Sequence, residues 1–404
     1  MNFKILAQEF VSSIDIIVLL LSFAFLSEGL RESGVFRFLA YRVLRMSGDS
    51  VQSLIVRLFV LTLILTLVTS NDIVILVLTP ITVQLCVRAD IENCKLLLLT
   101  QFVAANTASM GLILGSPTNL ILSEELGINF FEYIVLMAIP TLFVVGISFS
   151  ITWYFSKHPE KVPLFSDDLV FNKSHLSVGD ADVSINGNML AWIGALVAFL
   201  LLVAVVTVAE ASLLFCAVPT VVLCGAYWVA SDSHTSSVRK PLSRLPYGIL
   251  FLAVSFFAFG AAFSQTALFS ELTGLVQGTM NTSFSTLVWT VGTGVGVNIF
   301  NDLPASIVVS ELLSTLEFSS AAAKIVFTQA VLVGLNIGAY VTQTGALAGL
   351  IWFNQIRVAR EEYDSEKKLS VPSRVDLMKF GVVNFLIVSV VTSLVLSLEW
   401  MLLA

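Results

Sequence analysis

The chain has 404 residues, 57% of them hydrophobic and 12% charged, with a net charge of −7 at pH 7. Soluble domains carry roughly 25% charged residues, so this composition excludes a soluble enzymatic domain and a basic nucleic-acid-binding surface. It predicts an integral membrane protein, whose orientation follows lysine and arginine in short loops rather than net charge.

The first apolar run, 11–26, follows Lys4 and Glu9 and contains Asp15, with no small-residue cleavage site, so it reads as a retained helix. A loop to residue 50 carries Arg31, Arg37, Arg42 and Arg45. Two long apolar arms, 54–69 and 73–83, then enclose the polar tip Ser70-Asn71-Asp72. An ionisable side chain at that depth is expensive and marks a function by default. Residues 96–122 begin as a helix but are interrupted by Asn106, Thr107, Ser109 and Gly111, then by Gly115-Ser116-Pro117. That is the pattern of a broken helix with unwound backbone near its middle. A span over 133–155 and a polar linker over 156–188 follow, then two plain helices, 189–207 and 212–229. Beyond Arg239, Lys240 and Arg244, a span over 247–268 opens a second unit. Its two-armed segment, 283–316, has Asn301-Asp302 at the tip, and its broken helix, 323–352, contains Asn336, Gly338, Thr342, Gln343, Thr344 and Gly345. A charged loop, 355–374, and a last span, 380–403, finish the chain.

Asn71-Asp72, Asn106 and Gly115 recur as Asn301-Asp302, Asn336 and Gly345 at a single offset of 230 residues. This predicts an internal duplication. Two arms about a polar tip form either two crossings or a re-entrant hairpin. Taking both as re-entrant leaves about eight crossings and puts every arginine- or lysine-rich loop on one side, the cytoplasmic one. The turns near Glu124, Glu210, Glu271 and Glu317 fall on the other side. The predicted fold class is therefore an all-α polytopic membrane protein with an inverted repeat, re-entrant hairpins and broken helices. The first repeat spans 1–155, a cytoplasmic linker 156–188, an extra scaffold helix pair 189–230, and the second repeat 246–404. Both termini are expected on the non-cytoplasmic side of a bacterial-type inner membrane.

The tips leave helix-terminal N–H and C=O groups without intrahelical partners. N–H groups at a helix start favour an anion, and unwound carbonyls favour a cation. Asparagine amides serve either, while Asp72 and Asp302 are suited to hold Na⁺ or take up a proton. Gly115 and Gly345 allow close backbone approach. Asn and Asp at a helix start also act as N-caps, but recurrence at one offset, with an asparagine 35 residues later in each broken helix, favours a site. Thr107, Ser109, Ser116 and Asn119 either line that site or bond back to helix carbonyls. Pro80 and Pro304 are expected to shape helix ends, and Arg57 and Lys324 to snorkel or face an aqueous cavity. Cys86, Cys94, Cys216 and Cys224 lack CxxC spacing and read as buried apolar residues, with thiol binding of a soft ligand as the other reading. His158, His175 and His234 fall in polar loops, so a metal site is not expected. An intramembrane aspartyl protease needs a GxGD-type setting, whereas Gly294-Val295-Gly296 is followed here by Val297. The chain is not expected to be an enzyme. A passive channel differs from a transporter in having flux that ignores any coupling gradient.

The stretches SNDIVILVLTPI, NTASMGLILGSPTN, NDLPAS and NIGAYVTQTGALAGLIW together resemble the ion transporter superfamily. That group includes arsenite-efflux permeases, NhaD-type Na⁺/H⁺ antiporters and divalent-anion/Na⁺ symporters. Asn71-Asp72, Thr79-Pro80-Ile81, residues 106–109 and residues 336–352 fill the motif places of its arsenite permease branch. The resemblance implies an elevator-type or rocking movement against a scaffold that often dimerises. It also implies cation coupling at Ser70, Asn71, Ala108, Asn301 and Asn336. Asp72 and Ala108-Ser109 depart from the Ser-Asn-Thr tip and glycine pair of the symporter branch, and Thr342-Gln343-Thr344-Gly345 stands where Thr-Pro-Ile-Gly is usual. The expected function is secondary active transport of a small anion or oxyanion coupled to H⁺ or Na⁺, most specifically arsenite or antimonite efflux. Na⁺-coupled uptake of an inorganic divalent anion or a di- or tricarboxylate is the alternative. The expected site comprises Ser70, Asn71, Asp72, Asn106, Thr107, Ala108, Ser109, Gly115, Ser116, Asn301, Asp302, Asn336, Gly338, Thr342, Thr344 and Gly345. Na⁺ is placed at Ser70, Asn71, Asp72, Asn301 and Asp302. No cofactor is expected, and the partners are the substrate, membrane lipid and a second copy in a homodimer, with no nucleic acid.

Overall fold

A bilayer offers no hydrogen bonds to backbone, so apolar segments of this length must satisfy their own N–H and C=O groups as helices. The computed structural model describes residues 22, 25, 26, 28–47, 51–88, 91, 93–157, 187–208, 262–280, 284–363 and 369–403. Among the described residues every element is helical, apart from one parallel bridge between Asn93 and Ser370. The first half contains α1 (Val35–Ser47), α2 (Val51–Val68), α3 (Asn71–Arg88), α4 (Lys95–Ser109), a 3-10 turn (Ile113–Gly115), α5 (Pro117–Glu125) and α6 (Phe130–Lys157). After α7 (Gly187–Val208) and α8 (Ala267–Thr279) come α9 (Ser285–Phe300), α10 (Asp302–Thr315), α11 (Ala321–Gly338), α12 (Leu347–Tyr363) and α13 (Arg374–Leu403). Among the described residues α6, α11 and α13 are long and apolar enough to cross a membrane. Val135 and Leu142 on α6 and Leu394 and Leu398 on α13 are exposed, as side chains facing lipid are.

The packing follows one scheme twice. The first arm of each hairpin lies on the helix that precedes its own break, α2 on α4 and α9 on α11. The second arm crosses over and lies on the helix that follows the other break, α3 on α12 and α10 on α5. The starts of α5 and α12, Pro117 and Leu347, keep the 230-residue offset of the polar motifs. The two longest helices, α6 and α13, pack on each other and on α4 and α11. Close contact between α9 and α11 depends on small residues. A Cβ on Gly334 would stand 2.5 Å from the Thr290 carbonyl oxygen, and one on Gly338 2.6 Å from the Gly294 Cα. Without a hydrophobic drive between helices in lipid, such backbone approach supplies the packing energy.

Several segments differ from expectation. Residues 28–33 are helical, Gly34 (φ 85°) turns the chain, and α1 occupies the expected loop. Its apolar Phe36 and Ala40 are buried while Arg37 and Arg42 are exposed, so the arginines mark the outer face of an amphipathic helix. Likewise α12 runs on to Tyr363, because Trp352, Ile356 and Ala359 keep a buried stripe opposite Arg357 and Arg360. Glu271 lies on α8, not in a turn. Pro80 lies inside α3 rather than at its end, whereas Pro304 sits in the first turn of α10, where a missing N–H costs nothing. Both breaks are shorter than predicted. α4 continues through Asn106, Thr107, Ala108 and Ser109, and α11 through Asn336 and Gly338, which leaves residues 110–116 and 339–346 as the interruptions. Lys324 is exposed, and Arg57 is half-buried with Nη1 unpartnered. Cys86 and Cys94 are buried and free. Most of the 11–26 run, the 158–186 part of the linker, the 212–229 helix, residues 247–261, Cys216, Cys224 and the three histidines lie outside the described residues.

The α9–α11 contact leads to a stability prediction. Gly338→Ala should cost roughly 1–3 kcal/mol through overpacking, read as a lower Tm in detergent. Gly274→Ala, where a Cβ meets nothing within 4 Å, should leave Tm unchanged or higher.

Candidate functional site

The first tip is the turn at Thr69 and Ser70 between α2 and α3. Ser70 and Asn71 are buried there. The Asn71 carbonyl Oδ1 accepts the Asp72 N–H at 2.9 Å, and its Nδ2 donates to Asn106 Oδ1 at 3.3 Å. Asn106 is oriented by its own helix, since its Nδ2 donates to the Phe102 carbonyl one turn back at 2.8 Å. Asn336 repeats this on α11, donating to the Leu332 carbonyl at 2.8 Å. Back-bonding of this kind fixes one amide hydrogen and aims the remaining amide groups away from the helix.

Those remaining groups join the halves. Ser109 Oγ lies 3.0 Å from Asn336 Oδ1, and Asn336 Nδ2 donates to Asn119 Oδ1 at 2.9 Å. Asn119 Nδ2 in turn donates to the carbonyls of Ser109 (2.8 Å) and Leu112 (3.1 Å) in the first interruption. Tyr133 on α6 donates to the Met110 carbonyl at 3.0 Å. Gly115 closes this turn against the α4 end, where a Cβ would stand 2.1 Å from the Ser109 oxygen. Only glycine fits there.

The second tip is built differently. Asn301 has φ 75° and ψ 157°, the single positive-φ non-glycine among the described residues. That backbone region costs of order 1–3 kcal/mol. Its side chain holds the turn: Nδ2 donates to the Thr344 carbonyl at 2.9 Å, and Oδ1 accepts the Leu303 N–H at 3.4 Å. Asp302 is buried and accepts the Leu303 N–H at 3.0 Å. Asp72 is half-buried at the first tip, as Asp302 is buried at the second. In the second interruption Asn298 Nδ2 donates to the carbonyls of Gly294 (2.7 Å) and Gly338 (2.9 Å), and Thr342 Oγ1 donates to Asn298 Oδ1 at 2.6 Å. Gly345 lies against Asn298, where a Cβ would be 3.0 Å from Oδ1.

Of the expected residues, Asn71, Asn106, Ser109 and Asn336 belong to one buried cluster, and Asn301, Thr342, Thr344, Gly338 and Gly345 gather at the second interruption. Thr107 bonds back to the Val103 carbonyl at 2.9 Å and Ser116 to Thr118 Oγ1 at 2.9 Å, so neither hydroxyl points across the halves. Ala108 contributes its carbonyl to the Gly111 N–H at 3.1 Å. Asn298 was missed, and Asn119 stood outside the expected set. Each is unique to its half, because the positions 230 residues away are Val68 and Gly349. A search by repeat register passes over both. Gln101 was also missed. It receives Thr82 Oγ1 and donates to Thr79 Oγ1, both at 3.1 Å, and so clasps α3 on either side of Pro80.

An apolar chain whose described elements are helices, with interrupted helices meeting in a buried polar cluster, has the build of a membrane transport protein. The profile of the citrate transporter (CitMHS) family matches residues 3–342. The chain belongs to that family, within the ion transporter superfamily, and is an integral membrane protein. The arsenical pump membrane protein of Escherichia coli K12 is 23% identical over 334 residues, 80% of this chain and 74% of that one. An uncharacterized transporter of Mycobacterium tuberculosis is 26% identical over 134 residues, 33% of this chain, and the match spans only 31% of that relative. In fold, the chain is similar to the crystal structure of the Alcanivorax borkumensis YdaH transporter, with a TM-score of 0.60 over 98% of this chain and 87% of that one at 15% identity.

The strained tip separates two roles for Asn301. Asn301→Ala keeps the positive φ and loses both bonds, so it should lower stability by roughly 1–3 kcal/mol. Asn301→Gly relieves the strain and should hold Tm near the parent value, measured by thermal unfolding in detergent or lipid.

Proposed function

We propose that this protein is a secondary active transporter of a small anion or oxyanion, coupled to H⁺ or Na⁺, and that the two tips and two interruptions form its site. In this reading the halves are inverted repeats and the hairpins are re-entrant, with their tips meeting near the membrane midplane. The carrying observation is the set Asn71–Asn106 and Ser109–Asn336–Asn119, which brings interrupted elements of both halves to one place. Its two parts are joined at the Ser109 hydroxyl, whose single hydrogen lies between the Asn106 carbonyl oxygen (2.8 Å) and Asn336 Oδ1 (3.0 Å). Discontinuous helices meeting in this way are the usual substrate and ion site of such transporters.

The chemistry of the cluster narrows the substrate. Its groups are amides, hydroxyls, backbone carbonyls and the tip carboxylates Asp72 and Asp302, and none of its bonds described above comes from a lysine or arginine. A carboxylate at each tip in a low dielectric calls for a proton or a cation beside it, which supports H⁺ or Na⁺ as the driving ion at Ser70, Asn71, Asp72, Asn301 and Asp302. A small oxyanion bound as its neutral, hydroxylated acid suits such a lining better than a free polyanion. Arsenous and antimonous acids are of this kind at neutral pH, so arsenite or antimonite efflux is the specific reading, and the similarity to arsenical pump proteins supports it. The citrate transporter family profile favours a second reading, Na⁺-coupled uptake of a tricarboxylate, with the helix starts at Asn71 and Asp302 and bound Na⁺ supplying the positive charge.

The test is transport into proteoliposomes under imposed pH and Na⁺ gradients, with arsenite, antimonite and citrate compared. Gradient-driven arsenite movement that is lost in Asn71→Ala and Asn301→Ala is the expected outcome. Citrate movement driven by Na⁺ selects the second reading. Flux that rises linearly with concentration and ignores both gradients, or that persists in both variants, would overturn the assigned site.

A further inference from the structure

A groove runs along the outer surface of the protein where α6 and α13 lie side by side. The two helices are antiparallel here. The Phe155 ring lies 5.7 Å from that of Phe380, and the groove is bounded further along by Leu142 of α6 and Ile387 of α13. Its volume is about 590 Å³, within the range of small-molecule sites. Gly146 opens it, since a Cβ there would meet nothing within 4 Å. The lining is apolar: Phe143, Ile151 and Val383 present carbon, and the Ser150 hydroxyl is returned to the Gly146 carbonyl at 2.7 Å. Leu142, Phe143, Tyr154 and Ile387 are exposed, so the groove faces lipid. From Leu142 to Phe155 it follows about 20 Å of helix, more than the roughly 15 Å depth of one leaflet, half of the hydrocarbon core.

One end of this groove is basic. Lys157, in the last turn of α6, lays its Nζ over the Trp153 ring, 4.5 Å from the centroid, so the ammonium folds back toward the apolar part of the helix. Lys379 stands one turn before the lining residue Val383, on the same face of α13. Arg374 opens that helix. All three cations are exposed, and among the described residues no ion pair involves any of them. The carboxylate at this end, Asp376, is already engaged. It accepts the Ser373 N–H and hydroxyl, both at 2.8 Å, and lies 3.6 Å from Lys95 Nζ. The other acids of the two helices, Glu132 in the first turn of α6 and Glu399 in the last turn of α13, sit at the opposite end. Trp153 and Tyr154 beside Lys157 are the residue types that settle at the level of lipid headgroups.

We propose that the groove between α6 and α13 binds an anionic phospholipid, with one acyl chain laid between the two helices and the phosphate held at Lys157, Arg374 and Lys379. An apolar groove alone takes any acyl chain, and the charge at its end does the selecting. A zwitterionic headgroup brings a cation of its own, which three basic side chains repel. Free phosphate forgoes the apolar contact altogether. A second copy of this chain fits less well. About a two-fold axis along the membrane normal the same surface meets itself at the same depth, so Lys157, Arg374 and Lys379 would face their own like charges. A lipid seated here touches both of the longest helices at once and ties them together. The site is independent of which substrate is transported.

The experiment uses the full-length protein stripped of lipid in detergent. Dioleoylphosphatidylglycerol, dioleoylphosphatidylcholine and inorganic phosphate are added separately, with bound lipid read by native mass spectrometry and Tm by thermal unfolding. The parent should retain phosphatidylglycerol and gain Tm with it, and should do neither with phosphatidylcholine or phosphate at the same concentration. Lys157→Ala combined with Lys379→Ala should weaken phosphatidylglycerol binding about 30-fold, the equivalent of ~1 kcal/mol for each lysine, with the lipid-free Tm unchanged. Gly146→Leu fills the groove from a position where a Cβ meets no neighbour, so it should lose the bound lipid while the lipid-free Tm holds. Equal binding of the two lipids, unchanged binding in either variant, or a matching Tm gain from phosphate alone would overturn the proposal. Leu142→Cys tests for a second copy on this face. It should stay monomeric under oxidising conditions in the membrane, and efficient disulfide cross-linking into a dimer would also overturn the proposal.

Discussion

A helix interrupted inside a membrane exposes backbone carbonyls and N–H groups that no water is present to satisfy, and the protein must supply every partner itself. Here asparagine does so. Asn106, Asn298 and Asn336 each give one amide hydrogen to the carbonyl one turn back, and Asn119 gives its hydrogens to the Ser109 and Leu112 carbonyls of the first interruption. In every case some amide capacity is left over, and that remainder forms the contacts between elements. The side chains that make the interruptions tolerable are therefore the ones that join the elements around the buried polar cluster. Structural and functional readings of these asparagines are not rivals.

Crossing of the second hairpin arms carries this local solution through the fold. Because α3 lies on α12 and α10 on α5, neither half completes its polar contacts alone. The glycines at 334 and 338 bring α11 against α9 closely enough for Asn298 to reach the Gly338 carbonyl. α6 and α13 flank this core and hold it by separate polar contacts, Tyr133 to Met110 and Gln329 to Leu136. The latter exists because Pro140 frees a carbonyl, another case of an interrupted backbone turned into a contact between helices.

The two halves share a scheme without being equivalent. The first tip lies at ordinary dihedrals and is buried against Asn106, whereas the second is strained at Asn301 and bonds a backbone carbonyl of its own interruption. Asn119 has Gly349 as its counterpart, and Asn298 has Val68. Each interruption is thus stapled from a different direction, one by the helix that follows it and the other by the hairpin arm beside it.

Membrane residence, helical class, the polar tips and the broken helices were legible from residue type and spacing alone, because burying charge and glycine within long apolar runs is costly enough to carry its own signal. The 230-residue register located Asn71, Asn106, Asn301 and Asn336 for the same reason. It could not locate Asn119 or Asn298, since a residue present in only one half has no echo. Nor could it show that Arg37, Arg357 and Arg360 lie on helices, because a charged face on an amphipathic helix reads like a loop until the buried stripe of Phe36, Ala40, Trp352 and Ile356 finds a surface to cover. Only tertiary structure decided which arm packs on which helix, and which amide reaches which carbonyl. Those pairings join residues more than 200 positions apart, such as Ser109 and Asn336, and depend on backbone approach that no local pattern encodes.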